Sequence, residues 1–97
     1  MLTGKCKELF NEWIHEKYSG YEFYDIMNWD EHIFSMQYGV YVDFFDSLEV
    51  GVTVGNKSYF QKHHYMINES AGEGFKTRDE ARKAAVTKSN EIVNNRV

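Results

Sequence analysis

A chain of 97 residues, 42 % hydrophobic and 16 % aromatic, can build one packed domain over residues 1–97 but not two, and wholesale disorder is not expected. The only cysteine, Cys6, rules out an intramolecular disulfide and suits a reducing compartment. The opening MLTGKCKELF has no signal-peptide core and no stretch nears the ~20 apolar residues that span a bilayer, so a soluble, cytoplasmic protein is expected.

The formal charge of −4 is unevenly spread. Residues 1–17 balance Lys5, Lys7 and Lys17 against Glu8, Glu12 and Glu16. Residues 18–56 hold no lysine or arginine, yet carry Glu22, Asp25, Asp30, Glu31, Asp43, Asp46 and Glu49. That middle region also carries most of the aromatic side chains. The basic excess lies after residue 56.

The first segment, LTGKCKELFNEWIHEKYSG, predicts an amphipathic helix. Cys6, Leu9, Phe10, Trp13, Ile14 and Tyr18 fall on one stripe of a 3.6-residue period. Thr3 is placed to cap its start, and Gly20 to end it. YEFYDI, residues 21–26, reads as a short strand near a sheet edge.

From His32 the spacing of apolar residues fits a period of two. His32, Phe34, Met36, Tyr38, Val40, Val42 and Phe44 share one face, and Tyr41, Asp43 and Phe45 share the other. The reading is one long strand bent at Gly39, or two strands, with Phe34, Tyr38 and Phe44 in the core and Tyr41 and Phe45 exposed. Turns are expected at Asp46–Ser47 and at residues 55–58, on either side of a strand containing Val50, Val52 and Val54. YFQKHHYMI predicts a further strand. NESAGEG, residues 68–74, reads as a loop into a closing helix.

That closing helix, FKTRDEARKAAVTKSNEIVNN, starts on a capping box formed by Thr77 and Glu80. Its inward face is expected to be Ala81, Ala84, Ala85, Ser89, Ile92 and Val93. The expected fold is therefore α+β: an N-terminal helix, an antiparallel meander of three to five strands and a C-terminal helix, both helices on one sheet face.

Catalytic and metal chemistry find little support. Adjacent His63 and His64 would point to opposite sides of a strand, and the lone Cys6 leaves no zinc spacing. Cys6 lies on the predicted core stripe, where a thiol is inert. The glycines of VGVTVGNKS and SAGEGFKT lack the features of a phosphate loop. No catalytic residue, metal or cofactor is expected.

The stretch YVDFFDSLE, residues 41–49, supplies the candidate site. Asp43, Asp46 and Glu49 bring charge, while Tyr41 and Phe45 bring rings that could anchor a partner. Asp30 and Glu31 beside Trp29 form a second cluster. Uncompensated acids repel phosphates, so direct nucleic-acid binding through this zone is disfavoured. The basic residues Lys62, Lys76, Arg78, Arg82, Lys83 and Lys88 are interrupted by acids and read as a solvated helix face.

The small, proline-free chain rich in Tyr, Phe, Asn and Lys, with its closing helix FKTRDEARKAAVTKSNEIVNN, resembles small accessory proteins of large T-even-like double-stranded-DNA phages. The resemblance implies host takeover or counter-defence by binding a host protein. The functional expectation is a non-enzymatic inhibitor. It would act in the host cytoplasm, as a monomer or homodimer, by docking its acidic, aromatic patch on a basic protein such as a defence nuclease. The alternative is an assembly protein that self-associates through an open sheet face.

Overall fold

The computed structural model describes residues 2–17, 34–57 and 62–96. Among these, three helices and one antiparallel sheet follow in the order α1 (Gly4–Lys17), α2 (Phe34–Ser47), β1 (Val52–Lys57), β2 (Lys62–Ile67), β3 (Ser70–Phe75) and α3 (Arg78–Arg96). The α+β class and the helices at both ends are as expected. The strand read for 21–26, together with Tyr18 and Gly20, lies outside the described residues.

Helix α1 buries its predicted stripe through Cys6, Phe10 and Ile14, with Leu9 and Trp13 half-buried beside them. Thr3 does stand at the start, its carbonyl accepting from the Lys7 N–H at 3.2 Å. Its hydroxyl, however, accepts from Asn90 of α3 at 3.0 Å, and its own N–H donates back to Asn90 Oδ1 at 2.9 Å. The free N–H of Cys6 donates to Asn94 Oδ1 at 2.8 Å, and Asn94 Nδ2 donates to the Thr3 carbonyl at 3.0 Å. Two asparagines of α3 therefore satisfy the start of α1 from outside.

The strand predicted from residue 32 onward is overturned: Phe34–Ser47 is a helix. Apolar residues occur here at both parities, so the same letters fit a period of two and a period of 3.6. Burial decides between them. In the helix Tyr41, Phe44 and Phe45 point together into the core. The Phe10 ring stands 5.2 Å from Tyr41 and 5.2 Å edge-on from Phe44, and Trp13 stands 5.5 Å from Phe44. A strand would have sent Phe44 and Phe45 to opposite sides. The turn expected at Asp46–Ser47 falls inside the last helical turn, and the chain reverses at Leu48–Glu49 instead.

Strands β1 and β2 pair from Val52 opposite Ile67 to Lys57 opposite Lys62, so residues 55–57 of the expected turn are strand, and residue 58 lies outside the described residues. The loop expected at 68–74 is largely strand β3, a second correction. Its small residues gave no strand signal, but Gly72 lies opposite Tyr65, whose ring covers it so closely that a Cβ there would stand 2.5 Å from the ring. An aromatic side chain laid over a cross-strand glycine supplies the packing that the glycine lacks.

Helix α3 packs on all three strands and on both other helices. Ala81, Ala85 and Ser89 are fully buried, and their small size lets the backbone approach the sheet. Ala84 and Ile92 are only half-buried; Val86 and Asn90 are buried in addition to the expected set. The capping box is present: the Glu80 N–H donates to Thr77 Oγ1 at 3.1 Å, and Glu80 Oε2 accepts from the Lys76 N–H at 3.2 Å.

Candidate interaction surface

The exposed side of α2 carries Met36, Gly39, Asp43 and Asp46, spaced to form one ridge along the helix. Met36 is 60 % exposed. A Cβ added at Gly39 would meet nothing within 4 Å, so no described packing calls for a glycine in mid-helix. Asp43 and Asp46 make no ion pair with another described residue, and neither does Glu49 just beyond them. The three acids are all exposed.

The end of the helix explains where Glu49 sits. The Val50 N–H donates to the Phe45 carbonyl at 2.8 Å, and the Glu49 N–H donates to the Asp46 carbonyl at 3.0 Å. These two bonds are the Schellman pattern, with buried Val50 packing at the same level as buried Phe45. The pattern needs a left-handed residue, and Glu49 takes that role at φ 61°. A side chain there costs about 1–2 kcal/mol relative to ordinary backbone. The Arg96 guanidinium donates to the Leu48 carbonyl at 3.0 Å, bringing one cation to the negative end of the helix dipole.

Tyr41 and Phe45, expected to be exposed anchors, are 3 % and 0 % exposed. Helical spacing turns them inward, so they support the ridge from behind and cannot touch a partner. Trp29, Asp30 and Glu31 lie outside the described residues. Asp43 and Asp46 are brought together on one face, with Glu49 at its end. Met36 was missed because strand alternation assigned it to the core; helical periodicity applied to the same stretch would have exposed it.

The basic residues of α3 are partly engaged. Lys83 pairs with Asp79 at 3.1 Å and stands 5.7 Å from the Phe34 ring. The Arg82 guanidinium lies 4.9 Å over the Tyr38 ring. Burial pushes the Tyr38 hydroxyl pKa up, and the nearby Arg82 charge partly offsets this. Burial also pushes the Cys6 thiol up to about 11, so it stays protonated and unreactive near neutral pH.

Among the described residues no group of three or more His, Cys, Asp or Glu side chains is arranged to hold a metal ion. No helix among them is long and apolar enough to cross a membrane. Compared with protein-family models, curated proteins and solved structures, the chain matches none.

Proposed function

We propose that this is a non-enzymatic binding protein whose α2 ridge docks on a basic surface of a nucleic-acid-handling protein and inhibits it by competition. The observation that carries the reading is the placement of Asp43, Asp46 and Glu49. Three exposed carboxylates without an ionic partner among the described residues stand at a helix end where the dipole opposes negative charge. Charge held against local stability suits a surface that a cationic partner neutralises. Met36 supplies the exposed apolar contact in place of Tyr41 and Phe45. The resemblance to phage accessory proteins supports a host protein, such as a defence nuclease, as the target.

The test is capture of proteins from a bacterial lysate on the immobilised chain at low and high salt. A basic protein held at low salt should be lost from Asp43→Lys/Asp46→Lys and kept by Glu8→Lys/Glu12→Lys. Equal loss from both variants removes the ridge from the reading.

A second reading rests on the open sheet face. Thr53, Met66 and Ala71 sit side by side across the three strands and are all exposed, Met66 at 46 %. Self-association through this face would give a mass that rises with concentration and does not respond to salt.

A further inference from the structure

Beside the ridge, a groove runs between α2 and β1, and its lining differs from end to end. One end is a cavity of about 450 Å³ bounded by Tyr38, Val42, Val54, Arg78 and Arg82. The other is a cavity of about 360 Å³ bounded by Val42, Asp46, Gly51, Met66 and Asn68. Val52 and Thr53 line both. These volumes fall within the range of about 300–1,000 Å³ found for ligand sites.

Val52, Thr53 and Val54 are consecutive, so their side chains alternate between the two faces of the sheet. A cavity lined by all three must face the edge of β1. Among the described residues strand β1 is an outer strand of the sheet, paired with β2. The hydrogen-bond pattern shows which groups that edge offers. Asn68 donates its N–H to the Gly51 carbonyl at 3.0 Å, making Gly51–Asn68 a hydrogen-bonded pair in register with the ladder. Antiparallel pairs alternate, so the backbone groups of Val52 and Val54 point away from β2 and into the groove. Among the described residues they have no backbone partner there.

The charged groups at the two ends lack ionic partners among the described residues as well, although Arg82 lies over the Tyr38 ring. Arg78 and Arg82 make no ion pair with another described residue, because Asp79 is taken by Lys83 and Glu80 by the capping box. Arg82 Nε is buried without a hydrogen-bond partner among the described residues. Asp46 at the far end likewise makes no ion pair with another described residue.

We infer that the α2–β1 groove binds an extended peptide segment of a partner protein, added antiparallel to β1 as a further strand, with an acidic residue at Arg78 and Arg82 and a basic one at Asp46. Main-chain hydrogen bonds to Val52 and Val54 supply the affinity, and the charge order sets the direction. This goes beyond the ridge reading and does not rest on it. Its decisive groups are Val54, Arg78 and Arg82, which the ridge does not use.

The test follows backbone amide resonances of the full chain on titration with a blocked peptide, Glu-Val-Thr-Val-Thr-Lys. Saturable shifts are expected at Val52 and Val54, and a Lys-Val-Thr-Val-Thr-Lys control should bind about fivefold more weakly. Arg78→Glu should remove that preference. Val54→Pro deletes one outward N–H at an edge position where proline is tolerated, and should abolish the shifts. Should that variant not fold, the Arg78→Glu result decides by itself. The inference is overturned by the absence of saturable shifts at β1, or by a charge preference that survives Arg78→Glu. It is overturned equally if the Val52 and Val54 amides of the free protein already resist hydrogen exchange, which would mean that the edge is occupied.

Discussion

Helix α3 begins on a capping box, carries Asp79 and Glu80 in its first turn and ends on Arg96. Helix α2 has no acid in its first turn and no base in its last. It has an exposed glycine near its middle and a glutamate in the left-handed position behind it. The cap and the end charges support α3 as a helix, whereas α2 has no matching end charges and carries a glycine in its middle. Both are helical because α2 gains from burying Tyr41, Phe44 and Phe45 what it loses at its ends and on its outer face. The lesson is that burial of a few large rings can hold a helix whose own ends and outer face favour it little.

The strongest way to break this comparison is to remove what holds α2. Phe45→Ala should cost about 3–5 kcal/mol in urea unfolding, since a fully buried ring leaves a cavity. A cost near that of an exposed substitution would mean that α2 stands on local propensity after all. Next in size is the clamp between α3 and α1. Asn94→Ala takes the partner from the Cys6 N–H and leaves the Thr3 carbonyl with the Lys7 N–H alone, and should cost about 2 kcal/mol.

The helix ends sharpen the contrast with effects of equal size and opposite sign. Thr77→Ala at the start of α3 should destabilise by about 1 kcal/mol. Glu49→Gly behind α2 should stabilise by about 1 kcal/mol, because glycine enters the left-handed region without strain. The smallest effect is expected at Gly39→Ala, a gain of about 0.8 kcal/mol read as a rise in melting temperature. A loss there would show that something packs on Gly39.

Legibility varied with how local the cause was. The Cys6–Phe10–Ile14 stripe, the Thr77–Glu80 box and the strand at KHHYMI are written over a few residues, and each appears in the structure where it was read. Residues 34–47 were misread because aromatic and β-branched side chains favour strands intrinsically, and only contact with Phe10 and Trp13 shows that the rings gain more from a helix. The error carried through to the site. Asp43, Asp46 and Glu49 stayed exposed under either reading, since charge seeks water, but Tyr41 and Phe45 changed sides with the period. Strand β3 was hidden because its pairing depends on the Tyr65 ring over Gly72, which no feature of SAGEGF announces.

From its order of residues alone, this protein's α+β class, its two terminal helices and its acidic middle could be derived, because caps, periodicity and charge act over one or two turns of chain. The state of α2, the burial of its rings, the Asn90 and Asn94 clamp and the groove beside β1 were decided by tertiary structure. Their energies come from groups far apart in the chain, as much as 91 positions between Thr3 and Asn94. A contact at that distance has no periodic trace in sequence; it exists only once the chain has closed around its core.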